Sequence, residues 1–266
     1  MAYDRAKKNA GEFLLRIEDI DQARSRSTWE QQIFDDLEWL GLSWPKPVLR
    51  QSDRQRSYQK TLDFLWSRDL LFACTCTRAD ISAAAGAPQE GTALIGPDGV
   101  VYPGTCRPNA AQLARQTIPK TAALRLDMAK ATMAQNTGVY SFVETGSGPN
   151  GECGRIEFAA REMVQTIGDI VLARRDMGTS YHLSVVLDDA FQGVTHITRG
   201  QDLFEATKIH VVLQKLLGLP TPVYHHHRLI RDESGKRLAK RDDAQAISKY
   251  RAEGASPADI RRMVEL

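Results

Sequence analysis

The sequence predicts an α/β fold: a parallel sheet flanked by helices and interrupted by a small inserted domain. Two observations point there. Short apolar runs alternate with helical patterns of about 10–15 residues, the pattern of a parallel sheet with crossover helices. Between residues 73 and 145 that alternation breaks, and this stretch holds three of the four cysteines. The expected division is 1–72 as the first part of the main domain, 73–145 as the insert and 146–266 as the second part. At about 150 residues per domain, a chain of 266 residues accommodates one large domain or two modest ones.

Taken in order, Ala2 to Lys8 reads as a helix that Gly11 ends. Phe13 to Ile17 is a short apolar run, hence a buried strand, closed by Glu18-Asp19. Ser27, with Glu30 three residues on, forms a capping box for a helix whose apolar stripe is Trp29, Ile33, Phe34, Leu37 and Leu40, with Gly41 at its end. A second helix fits residues 55–69, with Tyr58, Leu62 and Leu65 on one face. The insert carries a Pro97-Asp98-Gly99 turn and a strand from Ala122 to Leu126. Gly146 to Gly154 is a flexible loop by composition. Ile170-Val171-Leu172, Leu183 to Leu187 and Val194 to Thr198 are strand candidates, and Leu203 to Leu217 is a helix. Ser256-Pro257 opens a last helix.

Composition excludes several classes. The chain is 42% apolar and 26% charged, and 35 basic against 33 acidic residues leave a net charge of +2. That is neither a disordered acidic chain nor a histone-like basic one, though a local basic patch still permits nucleic-acid binding. No apolar run approaches the ~20 residues of a membrane span. The charged N-terminus lacks the apolar core of a secretory signal. Four cysteines are too few for a disulfide scaffold, so a reduced, cytoplasmic chain is expected. No G-x-S-x-G, Walker A or G-x-G-x-x-G motif is present, against hydrolase, P-loop and dinucleotide readings.

Three constellations can carry chemistry. Cys74, Cys76 and Cys106 with Tyr102 supply three thiols and a phenol, a donor set suited to one structural Zn2+; the bland alternative is buried free thiols. Cys153, in the glycine-rich loop, reads as a free thiol. The segment Arg228 to Arg241 has six basic and two acidic residues, an excess of four, and its Arg237-Leu238-Ala239-Lys240-Arg241 run suits polyphosphate as well as it suits plain solvent. Glu18 and Arg199 follow strands, where open α/β sheets bind ligands, and Tyr181 reaches in from the start of another. Arg199 and Tyr181 suit the carboxylate of an amino acid, and Glu18 its ammonium. Asp188-Asp189 are read as following a strand, where neighbours point apart; they serve as structural hydrogen-bonding groups and make a poor acid/base pair. His225-His226-His227 could bind a metal, but alternate strand residues face opposite ways, and the triplet is read as a strand or loop segment leading to the basic loop.

At these residues a resemblance enters. Leu15 to Asp21, Cys74-Thr75-Cys76-Thr77-Arg78, Tyr102 with Cys106, Gly168-Asp169, Tyr181, Asp188-Asp189, Thr198 to Leu203 and Arg237 to Arg241 resemble the class I glutamyl-tRNA synthetases. The cysteine pattern and the short chain are more similar to their paralogues, the glutamyl-Q tRNA(Asp) synthetases. The resemblance implies a Rossmann-like sheet with an inserted zinc-binding domain, and a cytoplasmic monomer that does not engage membranes. It implies L-glutamate contacts from Glu18, Tyr181 and Arg199. Lys240 would be the second lysine of a KMSKS-type loop, binding ATP with Arg237 and Arg241. Cys74, Cys76, Tyr102 and Cys106 would hold zinc. The implied reaction activates glutamate with ATP and Mg2+, then transfers the glutamyl group to queuosine at the wobble position of tRNA(Asp).

Two departures accompany it. Arg237 and Ala239 stand where the family has Lys and Ser. No H-x-G-H occurs, and Met1 falls within the helix expected after that HIGH-type motif, so the family's first strand is missing and an upstream in-frame segment is expected. Two rival readings stay open at this level: a glutamyl-tRNA synthetase fragment charging the tRNA 3′ end, and a non-catalytic, zinc-stabilised RNA-binding remnant.

Overall fold

The structure, a computed structural model, describes residues 1–85, 94–108, 117–231 and 246–265. The chain opens with α1 (Ala2–Lys8), β1 (Arg16–Ile17), α2 (Ser27–Trp39), β2 (Leu49–Arg50), α3 (Gln55–Ser67), β3 (Leu71–Cys74) and α4 (Arg78–Ala85). It continues with β4 (Ile95–Gly96), β5 (Gly99–Val100), β6 (Ala123–Leu126), α5 (Met128–Ala134), β7 (Val139–Glu144), β8 (Gly154–Ala159) and α6 (Ala160–Glu162). Then follow β9 (Val171–Ala173), α7 (Tyr181–Phe191), β10 (His196–Gly200), α8 (Phe204–Leu216), β11 (Val223–His227), α9 (Ile247–Ala252) and α10 (Pro257–Met263).

The parallel pairings lie in two places, β1 with β2 and β10–β11–β7, the latter extended by antiparallel β8 into a four-stranded sheet of order β10-β11-β7-β8. Another sheet, antiparallel and of order β3-β6-β9, pairs Leu71–Cys74 with Ala123–Leu126 and that strand with Val171–Ala173. The β4–β5 pair is the hairpin around Pro97-Asp98-Gly99, with Gly99 at φ +99°. One core runs through the body, from Tyr58, Leu62 and Leu65 of α3 to Leu126, Phe142, Leu183, Ile209, Leu213 and Tyr224. Removing Leu62 from that core would cost about 2–5 kcal/mol, because the cavity refills only in part.

Several sequence expectations need correction. Residues 183–187 are not a strand; they lie within α7, which Ser180 caps by accepting the Leu183 N–H. Leu183, Val185, Val186, Asp188 and Asp189 are all buried, so the helix has no polar face, and a buried helix and a buried strand share that apolar signature. Ser27 is the first helical residue of α2 and not its cap; Arg26 takes that position without a side-chain hydrogen bond, and Glu30 is drawn away to an ion pair with Arg50. The stripe on α2 is not buried either: Trp29 and Ile33 are 42% and 43% exposed. Of the run Phe13 to Ile17, Arg16 and Ile17 alone join a strand ladder.

Candidate functional site

Arg199 lies near the carboxyl end of β10, and the parallel register sets it beside His226 of β11. Three of the five guanidinium N–H groups are donated inside the protein: Nε to His226 Nε2 at 3.3 Å, Nη1 to His210 Nδ1 at 3.1 Å, and Nη2 to the Thr207 hydroxyl. The same cation rides 5.0 Å over the Tyr224 ring. A guanidinium only donates, so His226 must carry its proton on Nδ1, which meets the Glu144 carboxylate. Burial pushes the Glu144 carboxyl up, but its bonds from the His226 ring, the His226 N–H and the Gly146 N–H prevail and hold it below the usual range. Burial likewise lowers His226, so the pair is a carboxylate and a neutral ring.

Gly146 is required there. A Cβ on it would lie 2.1 Å from the His226 carbonyl oxygen, so only glycine lets the backbone approach β11 this closely. The glycine-rich segment read as a free loop is therefore tied down at its start. Ser147 N donates to the His226 carbonyl at 3.1 Å, and Gln201 Nε2 donates to the Ser147 and Gly148 carbonyls.

Tyr181 does not enter from a strand; it opens α7, with its ring 5.7 Å from that of His210. Burial raises its hydroxyl pKa, Arg199 opposes that through charge and a hydrogen bond, and the nearby Glu18 and Asp189 carboxylates reinforce it. Glu18 follows β1 directly and meets Arg16 at 3.1 Å; the other terminal nitrogen of Arg16 bonds Asp189 of α7 at 2.7 Å. Glu18, Tyr181 and Arg199, separated by up to 181 positions, thus share one neighbourhood of mixed charge. Asp188 accepts from Tyr58 Oη at 2.6 Å, Arg54 Nε at 3.1 Å and Gln51 Nε2 at 3.2 Å, which fastens α3 to α7. Asp188 and Asp189 therefore act as hydrogen-bonding anchors, though on a helix and not after a strand.

The cysteine constellation also assembles. The sulfurs of Cys74, Cys76 and Cys106 all lie within 4.8 Å of one another. Tyr102 Oη stands 3.5 Å from Cys74 Sγ and 3.8 Å from Cys76 Sγ, and accepts the Cys106 N–H at 2.6 Å. Burial raises the Cys76 thiol to about 11, whereas hydrogen bonds from Tyr102 and the Thr75 backbone overcome burial at Cys106 and bring it to about 6. Three thiols this close together could hold a metal ion. Cys153 is exposed and apart from them. Arg237, Lys240 and Arg241 lie outside the described residues.

The buried partners of Arg199 escaped the sequence reading. His182, His210, His226 and Glu144 carry no motif spacing; the one available signal was the alternation in β11, where Tyr224 and His226 face inward and His225 and His227 do not.

Comparison with known proteins supplies the context. The family model for tRNA synthetases class I (E and Q), catalytic domain, matches residues 1–266. A protein of Rhodobacter capsulatus named glutamyl-Q tRNA(Asp) synthetase is 61% identical over 267 residues, covering 100% of this chain and 92% of the relative. One of the same name from Symbiobacterium thermophilum is 36% identical, over 98% and 77%. The crystal structure of a glutamate tRNA ligase from Elizabethkingia meningosepticum in complex with its amino acid superposes with a TM-score of 0.73 at 24% identity. The chain spans 56% of that larger molecule, and the likeness bears on the fold. Among the described residues, no helix is long and apolar enough to cross a membrane.

Proposed function

The chain belongs to the class I tRNA synthetases of the glutamate and glutamine branch, and on that premise we propose that it is a ligase that activates L-glutamate with ATP and transfers the glutamyl group to queuosine in tRNA(Asp). The observation that carries this reading is that Tyr181, at the start of α7, meets Arg199 and Glu18 where these lie at the carboxyl ends of β10 and β1. Two N–H groups of Arg199, one on each terminal nitrogen, remain beyond the three given to His226, His210 and Thr207, and one of them is shared with the Tyr181 hydroxyl. With the Tyr181 hydroxyl they suit a substrate carboxylate, and Glu18 suits the ammonium.

In activation, an oxygen of the glutamate α-carboxylate forms a bond to the α-phosphorus of ATP, and the bond to pyrophosphate breaks, with the charge leaving on pyrophosphate. The nucleophile is already ionised, so the enzyme needs position and counter-charge rather than a strong base. Lys240, with Arg237 and Arg241, supplies counter-charge beside the Mg2+ that arrives with ATP. A hydroxyl of the queuosine ring then attacks the acyl carbon and releases AMP. Residues 73–145 form the inserted unit, in which Cys74, Cys76, Cys106 and Tyr102 would hold a structural Zn2+ that would stabilise it. The enzyme works in the cytoplasm as a monomer.

The test is glutamate incorporation into tRNA(Asp) with and without queuosine. Incorporation confined to the queuosine-bearing tRNA supports the proposal; equal incorporation into queuosine-free tRNA overturns it in favour of 3′-end charging.

A further inference from the structure

Arg199 is held from a second side. Its Nη1 donates to His210 Nδ1, so the His210 proton sits on Nε2, which meets His182 Nδ1 at 3.0 Å. The His182 Nδ1 therefore accepts, and its Nε2–H meets both carboxylate oxygens of Asp98 at 2.9 Å. Both rings are buried, while Asp98 is half-exposed at the tip of the β4–β5 hairpin, with Arg125 close by. Each donor in this line has one acceptor, and reversing any link would set two N–H groups face to face.

We infer that Asp98 is a positioning residue for Arg199, acting through the buried His182–His210 relay. The inference rests on the reading of Arg199 as the glutamate partner. The relay fixes both imidazole tautomers, and so fixes which guanidinium edge is spent on the protein and which faces substrate. Glu144 performs the same task through His226, but it lies on β7, in the same sheet as Arg199. Asp98 instead belongs to the inserted segment, three residues before Val101 and four before Tyr102 of the cysteine cluster. The amino-acid site thereby depends on where the insert places its hairpin. Such outer partners matter because they set the orientation of a binding group that has more than one rotamer and more than one hydrogen-bonding scheme.

The experiment measures glutamate and ATP dissociation constants by calorimetry, and glutamate-dependent ATP–pyrophosphate exchange at saturating substrate. Asp98→Ala is expected to weaken glutamate binding about fivefold, the net worth of one hydrogen bond, with ATP binding and saturated exchange retained. His182→Phe should weaken glutamate by a similar factor, and adding Asp98→Ala to it should cost nothing more. If His182→Phe does not fold, His182→Gln takes its place in the cycle. Losses that multiply in the double variant, or unchanged glutamate binding in Asp98→Ala, overturn the relay. Arg199→Ala separates the two levels. If it binds glutamate as the unaltered chain does, the reading of the site fails; if it loses affinity while Asp98→Ala does not, the relay alone fails.

Discussion

The Arg16 guanidinium lies 2.7 Å from the Asp189 carboxylate, 173 positions away in the chain. That pair clamps the strand that precedes Glu18 onto the helix that begins with Tyr181, and so sets two of the three proposed glutamate contacts against each other. Both partners are largely withdrawn from water, with side chains 15% and 12% exposed. Burial already raises the Asp189 carboxyl above its usual value, with Arg16 only partly offsetting it.

Breaking that pair from one side should therefore be costly. Arg16→Met leaves a buried carboxylate without its cation, and a loss of about 3–5 kcal/mol in urea unfolding is expected. The double variant Arg16→Met, Asp189→Leu should recover most of it, since no buried charge is then left unpaired. A double variant as unstable as the single one would show that the pair is not what holds these elements together.

Stability should fall on mild acidification. Burial, with Arg199 and His182 nearby, holds His210 well below 6.5, and burial lowers His226 as well. Between those depressed values and the unfolded value of 6.5, the unfolded chain binds more protons, so unfolding free energy rises with pH across that window and is lost as pH drops below 6.5. Each ring contributes a slope of up to about 1.4 kcal/mol per pH unit. Glu144 acts in the same direction but lower, below its usual 4.5. His210→Asn should flatten the slope in denaturation series from about pH 6.5 to pH 5; an unchanged slope would remove His210 from this explanation.

Purified protein should carry about one equivalent of zinc by elemental analysis. Cys76→Ser should lower that content and destabilise the insert, while Cys153→Ser should leave it unaltered, because Cys153 is remote from the three clustered sulfurs. Full zinc content in Cys76→Ser would dissolve the proposed site.

Arg199→Ala should raise the glutamate KM by the equivalent of ~2 kcal/mol or more, because a charge-assisted partner disappears from a partly desolvated pocket. The variant also strips His210, His226 and Thr207 of a donor, so Arg199→Lys should rescue only in part: a point charge cannot replace three directed N–H groups. Glutamate kinetics that do not change in Arg199→Ala would exclude the assignment.

Lys240→Ala should reduce kcat of ATP–pyrophosphate exchange ~10²-fold with a much smaller change in the KM for ATP, because counter-charge on departing pyrophosphate is worth most in the transition state. Exchange at the unaltered rate would return Arg237 to Arg241 to the status of a solvated loop.

Local chemistry was written plainly in the residues. The helix over Ala2–Lys8, the buried face Tyr58, Leu62 and Leu65, the hairpin at Asp98-Gly99 and the cap at Ser256-Pro257 all follow from periodicity and turn residues, which depend on near neighbours alone. The cysteine cluster was legible for a similar reason, since three thiols in a short segment restrict each other. The apolar run 183–187 was not, because a helix buried along most of its length loses the exposed polar stripe that marks its period. Nor did any spacing disclose that Arg199 is shared among His210, His226 and Thr207, or that Asp98 stands at the far end of the His182–His210 relay. Those bonds join positions up to 84 residues apart, and their directions follow from which nitrogen meets which acceptor. Sequence by itself therefore determined the elements and the inventory of chemical groups; only the tertiary structure decided which groups share protons, because a hydrogen bond is specified by a distance and an angle that no linear spacing encodes.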